Sequence, residues 1–514
     1  MLFKLDNNQL RLAAALLVSV LFLLILAVFY FLYPPYSFQV QDAETGQPLS
    51  AEVVALSQST VLASAFTANG SASLWPGLSR ATHFVVRTSG YQAVRVQADG
   101  TNFLVKLQKI VERPVKLHVL LVTLRKPLVE KYGSEEAQRL LEAADRLAWT
   151  IEQSENLSSA VILLDDAEDG NKYGFPQVQD YSAEAILHSE QALVKSQAPR
   201  YVILLGGPRI IPFQSIPNPL ALAPEAEAFA FLLSESPQVE SDNPYGVVDR
   251  SADSVPSIAV GRIPDDAAAA ASGADSFIRL LDNAASLHIK RLELGSPALW
   301  LSASSYSGYY TRGFFAGSEQ VLSPPTVAWT ETGYVSETLV RLEQTLARPS
   351  LFILLHGNAP LQPQVLAGRP SDLEGEFVDS ILVDPEVADK LVWRGRVVLA
   401  DSCWAGSSER LREESILLKA LEGGAVGFVG STLPVLSLAS SRAEGVGGDK
   451  MEFAGVSNSL LYILYSELLQ GQTVGEAFRK AKEQISLFGG APEQFTLLEF
   501  AWYGDPTLRF EPTA

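Results

Sequence analysis

The chain has 514 residues, too many for one ordinary core, so two or three folded units with connectors are expected. With 47% hydrophobic and 19% charged residues, it is a globular sequence and not a disordered or low-complexity one. A net charge of −19 excludes a nucleic-acid binder built on a concentrated basic face and suits basic substrates or cations, while a single cysteine excludes an internal disulfide or a multi-cysteine zinc or iron–sulfur site.

From Leu12 to Tyr33 no residue is charged, and the run LAAALLVSVLFLLILAVFYFLY is long enough for a helix to cross a hydrocarbon core of about 30 Å. A cleaved signal peptide would have a shorter apolar run followed by small residues. Here the run ends in Phe29, Tyr30, Phe31, Tyr33, Pro34, Pro35 and Tyr36, an aromatic belt and a helix stop. Lys4 and Arg11 precede it and no charge follows before Asp42, so the N-terminus is expected in the cytoplasm and everything after Tyr36 outside. Residues 1–36 are thus read as a cytoplasmic stub and a single membrane anchor.

Residues 37–110 alternate short β-favouring runs with turn signals, the pattern of a small antiparallel sandwich. Its D-x-x-T-G-x-P-L opening, Asp42 to Leu49, and its Gly90-Tyr91 before a strand resemble carboxypeptidase-regulatory-like or transthyretin-like modules. Spacing or docking is the expected role, since no cluster of titratable groups marks it for chemistry.

From Val115 the pattern changes to apolar β-branched runs separated by helical stretches, the signature of parallel sheets covered by helices. The candidate strands are 115–123, 159–165, 201–207 and 257–263 in a first set, then 298–304, 351–357, 396–403 and 425–431 in a second. Each set is long enough for one sheet, and the helical run from Ala267 to about Lys290, followed by Leu294-Gly295-Ser296-Pro297, makes a boundary between them. The stretch from Ser457 to Ser486 has the spacing of core-packing helix. Gly206-Gly207 and Gly423-Gly424 read as close-packing turns, because neither fits a nucleotide-binding fingerprint.

His356 and Cys403 each end a strongly apolar run, and in open α/β sheets that edge collects reactive groups. Small residues follow both, Gly357-Asn358-Ala359 and Ala405-Gly406-Ser407-Ser408, so backbone amides can approach a bound carbonyl. Alone, a cysteine is most often a buried hydrophobe and a strand-end histidine a satisfied one. Together, in a chain with one cysteine and five histidines, they point to a thiol nucleophile and its proton shuttle. The other four, His83, His118, His188 and His288, have no acidic or thiol constellation around them in sequence and are read as structural or exposed.

The blocks LFILLHG and VVLADSC resemble the shared signature of caspase-like cysteine peptidases. Within that clan the resemblance is to the gingipain-type (C25) family. It is carried also by 201–212 (YVILLGGPRIIP), 241–264 (SDNPYGVVDRSADSVPSIAVGRIP), 421–432 (LEGGAVGFVGST) and 503–510 (YGDPTLRF), in order between residues 201 and 510. The resemblance implies an α/β fold of tandem caspase-like subdomains with mainly parallel sheets covered by helices. These would be 114–294, without an active site, and 295–514, with one. It makes Cys403 the nucleophile, His356 the proton shuttle and the amides of Gly357 and Cys403 the oxyanion hole.

In metacaspases and legumains the residue two before the cysteine is an acid lining the S1 pocket. Asp401 stands there, which implies a preference for Arg or Lys at P1, although strand-end Asp often just caps a turn. Trp404 would wall or obstruct that side. Some gingipains orient the catalytic histidine with an acid after the strand matching ALWLSAS. Ser304 and Ser305 occupy that place, so no orienting carboxylate is assigned. Asp242, Asp249 and Asp253 lie in a family-like loop whose relatives can bind calcium, but their spacing fits no regular calcium loop and no metal or cofactor is assigned.

The expectation is therefore an endopeptidase on the outer face of a membrane, acting on polypeptides through a thioester acyl-enzyme. The alternative is a catalytically silent caspase-like scaffold that binds peptides or partner proteins. A transpeptidase using the same acyl-enzyme is a weaker third.

Overall fold

The computed structural model describes residues 35–57, 60–74, 81–88, 94–107, 116–223, 233, 236–248, 255–266, 271–289, 292–293, 299–302, 319–322, 352–357, 366–368, 380–383, 385–407, 414–435 and 456–511. Leu12 to Tyr33 and the aspartates 249 and 253 lie outside them, and among the described residues no helix is long and apolar enough to cross a membrane. The chain divides into two compact units, Met1–Val115 and Lys116–Ala514.

The first unit contains the strands β1 (Tyr36–Asp42), β2 (Glu52–Ser57), β3 (Thr60–Phe66), β4 (Ser71–Leu74), β5 (His83–Arg87), β6 (Val94–Gln97) and β7 (Asn102–Leu107). They form two sheets, β4-β1-β7 and β3-β2-β5-β6. Alternate residues of β1, Phe38 and Val40, are buried with Val53, Ala55, Phe84, Val86, Val105 and Leu107, as a half-buried strand requires. Phe38 lies edge-on to Phe84 with ring centroids 4.8 Å apart and stacks on Phe103 at 5.1 Å. The expected antiparallel pattern fails at one place: β1 and β7 run parallel, because the last strand returns alongside the first in the same direction. The D-x-x-T-G opening is a turn signal. Asp42 Oδ1 accepts the amides of Glu44 at 2.8 Å and Thr45 at 2.7 Å, and Gly46 follows at φ +69°.

The second unit continues with β8 (Val119–Thr123), β9 (Ser159–Leu163), β10 (Tyr201–Leu205), β11 (Gln214–Pro217), β12 (Gln238–Ser241), β13 (Ala259–Ile263), β14 (Leu292–Glu293), β15 (Leu299–Ser302) and β16 (Glu319–Leu322). It ends with β17 (Phe352–Gly357), β18 (Leu366–Gly368), β19 (Ser380–Val383), β20 (Val397–Ser402), β21 (Gly427–Ser431), β22 (Phe500–Gly504) and β23 (Phe510–Glu511). All eight runs read as strands contain one. They assemble, with β16 and β22, into one ten-stranded sheet of order β16-β15-β17-β20-β21-β22-β13-β10-β8-β9. The two sets thus share a sheet. The joining piece is β22, antiparallel to β21 and parallel to β13; the other pairings in this sheet are parallel.

Alternation along β20 explains the layers. Val398 and Ala400 belong to the core on one face, while Val397 and Leu399 belong to the core on the other. A parallel strand covered on both faces has to be apolar throughout, which is why these runs show no polar alternation. Helices Ser134–Glu155 and Ala271–Ile289 pack on the first face; Val456–Leu469 and Val474–Ser486 pack on the second. The last two are separate helices. Gly471 at φ +78° ends one, and the Thr473 hydroxyl accepts the Glu476 amide to start the next.

Candidate functional site

The site is a strand edge. In the parallel pairing of β17 with β20, His356 stands opposite Asp401 and Gly357 opposite Ser402, so Cys403 is the first residue beyond the paired rim. The backbone of β17 is described, but not its side chains. Asp401 and Ser402 are buried, and Cys403 and Trp404 are partly exposed.

After Ser402 the chain turns sharply. Trp404 adopts φ +52°, a left-handed conformation rare outside glycine that is held where surrounding bonds overdetermine it. Those bonds come from the end of β21, the segment after it, and β22. The Trp404 amide donates to Leu433 O at 3.0 Å and the Gly406 amide to Ser431 O at 2.8 Å, while the Tyr503 hydroxyl donates to Gly406 O. The approach is so close that a Cβ on Gly406 would sit 2.5 Å from Gly430 O, and one on Gly430 would sit 2.7 Å from Gly406 N. The small residues after Cys403 therefore serve backbone packing against β21.

The Cys403 sulfur accepts the amide of Val435 at 3.3 Å. Burial pushes this thiol up to about 11, and the carboxyls of Glu499 and Asp401 push the same way; the Val435 amide works against them. Thr432–Val435 thus lies along the turn that holds Cys403. Ser431 Oγ, at the base of this segment, is 2.7 Å from Leu433 O, 2.7 Å from Glu499 Oε2, and accepts the Leu433 amide at 3.1 Å. Glu499 has no exposed surface, and burial holds its carboxyl well above the ordinary carboxylate range, with Asp401 adding to the shift.

Glu499 and Ser431 were not among the residues singled out from the sequence. Glu499 ends helix Ala491–Glu499, and only the antiparallel insertion of β22 beside β21 brings it to the C-terminal rim. No local spacing reports such a placement.

The other expectations fare differently. His288 is structural and not exposed, and acidic groups do surround it: its side chain is buried, with Nδ1 3.1 Å from Glu155 Oε1 and Nε2 2.7 Å from Asp505 Oδ2. Burial alone would lower its pKa, but Asp505 and then Glu155 outweigh that and raise it to about 9. Asp242, from the loop considered for calcium, is gripped by the buried Arg262 through Nε at 2.8 Å and Nη2 at 2.5 Å. Among the described residues no group of three or more His, Cys, Asp or Glu side chains is placed to hold a metal. The Gly206-Gly207 turn is occupied internally, since the Gly207 amide donates to Asp265 Oδ1 at 2.5 Å and Gly206 sits at φ +118°. Lys131 and Tyr132 hold the other oxygen of Asp265.

Residues 134–286 match the model of peptidase family C25, and the match supports a cysteine-type peptidase. His356 and Cys403 lie outside it. Among solved structures, the chain is similar to the complex of Porphyromonas gingivalis RgpB pro- and mature domains at TM-score 0.46 and 13% identity, covering 77% of this chain and 80% of that one. The Arg-specific cysteine proteinase gingipain R (RGPB) gives TM-score 0.46 and 13% identity, covering 78% and 80%. A structure titled as that of a protease gives TM-score 0.41 and 14% identity, covering 77% and 79%. No curated protein matches the sequence.

Proposed function

We propose that this chain is a cysteine-type endopeptidase of the gingipain type, in which Cys403 attacks the scissile carbonyl and His356 carries the proton. The C25 match supports the class, and the observation that carries the dyad is the β17–β20 register, with His356 opposite Asp401 and Cys403 just beyond the rim. The sulfur adds to the carbonyl, His356 protonates the leaving amine, and water then releases the acid from the thioester. The Gly357 and Cys403 amides are the donors suited to the developing oxyanion. Asp401, buried beside the nucleophile, favours Arg or Lys at P1, with Trp404 beside it. Leu12–Tyr33 would tether this activity outside a membrane; an external protease should then remove the region after Tyr36 from intact cells, and its protection would reverse the orientation.

An irreversible peptidyl inhibitor with Arg at P1 should label Cys403 once per chain. His356→Ala should slow both labelling and peptide turnover by about 10²- to 10⁴-fold. Arg and Lys reporter peptides should be cleaved faster than Asp or Leu ones, and equal turnover would remove the role given to Asp401. One observation favours the silent scaffold, namely the thiol held near 11, which leaves little thiolate at neutral pH. Peptide binding without turnover or labelling would establish that reading in place of the first.

A further inference from the structure

Ser431 Oγ has one hydrogen and two lone pairs, and three groups surround it. The Leu433 amide donates to it at 3.1 Å, which uses one lone pair. Leu433 O, 2.7 Å away, is a carbonyl and can only accept, so it takes the single hydroxyl hydrogen. Glu499 Oε2 is also 2.7 Å away, and two oxygens that close need a hydrogen between them. The serine has none left. Glu499 must therefore supply it.

We propose that Glu499 is a positioning residue that carries a proton and donates it to Ser431, latching the Thr432–Val435 segment over Cys403 so that the Val435 amide meets the sulfur. The placement fits an uncharged acid. Glu499 and Ser431 have no exposed surface, and among the described residues the ionisable groups that act on Glu499 or feel its charge, Asp401 and Cys403, are both acidic. An ionised Glu499 would be a buried anion facing both and would oppose thiolate formation. Protonated, it removes that charge and completes the bonding of Ser431. Further bonds anchor the same segment: the Thr432 amide donates to Glu499 O at 2.9 Å and its hydroxyl to Glu240 O at 3.0 Å. The latch holds the Val435 amide on the sulfur in this state, so its release changes access to the thiol. This rests on Cys403 being the nucleophile only where access is taken as regulation of catalysis; the hydrogen-bond count stands without it.

Two measurements on the full chain test it. The infrared difference spectrum of wild type against Glu499→Gln at pH 7 should show a protonated carboxyl C=O stretch, and a carboxylate band in its place would overturn the proposal. Alkylation of the only cysteine by iodoacetamide should be about tenfold faster in Ser431→Ala and Glu499→Ala, the effect of one lost buried hydrogen bond. Glu499→Gln keeps a donor toward Ser431 and should alkylate at the wild-type rate. Unchanged rates in Ser431→Ala, or a Gln variant as fast as it, would sink the latch even if Glu499→Ala fails to fold. Peptide turnover is read separately. Its absence from wild type, with the alkylation pattern intact, would count against the peptidase reading alone.

Discussion

Arg262 has no exposed surface, yet four of its five guanidinium N–H groups are used: Asp242 takes two bonds, and Gly206 O at 2.7 Å and Ile211 O at 2.8 Å take two more. Its charge is compensated and it ties the turn after β10 to the loop after β12. Arg262→Ala would leave a buried carboxylate and two carbonyls behind, and chemical denaturation should read a loss of about 3–5 kcal/mol. At Cys403 the raised thiol makes a kinetic prediction. A free thiol near 8.5 stops gaining thiolate above pH 9, whereas this one should alkylate about tenfold faster for each pH unit up to about 10. A plateau near pH 8.5 would mean that the sulfur sits in water and not under Val435.

At the scale of elements, the rim is made by register and by close backbone approach. β17 and β20 pair in parallel, and the turn after β20 lies on the end of β21 with no room for a side chain at Gly430. Gly430→Ala would push its Cβ against Gly406 N, so the turn holding Cys403 must shift. Thermal melting should show about 1–3 kcal/mol of overpacking cost, and Cys403 labelling by the peptidyl inhibitor should fall with it. Labelling unchanged at lower stability would separate the turn from the chemistry.

For the whole molecule, His288 links three distant pieces: the helix ending at Glu155, the helix ending at Ile289, and Asp505 just after β22. Its folded pKa of about 9 exceeds the unfolded value of about 6.5, so the stabilisation is fully present below 6.5 and is lost as pH rises through 9. The gap in melting temperature between wild type and His288→Asn should therefore be widest near pH 6, worth up to about 3 kcal/mol, and shrink towards pH 9.5. A gap independent of pH would mean that the imidazole titrates alike in the folded and unfolded chain. In the continuous sheet, β22 comes from the end of the chain but lies between β21 and β13.

Eight of the strands in that sheet were legible because a parallel strand buried on both faces must be an unbroken apolar run, a local property of the chain. The same runs end at His356 and Cys403, so two residues of the candidate site could be named from type and position. β22 was not legible: FAWYG follows a helix with no turn signal, and its aromatics serve a core as well as a strand. Nor could the sequence join the two sets of strands, give His288 its two carboxylates, or bring Glu499 to the rim. Those depend on residues 68 to 217 positions apart meeting in the folded chain, and local propensity and periodicity carry no information about partners that only tertiary packing selects.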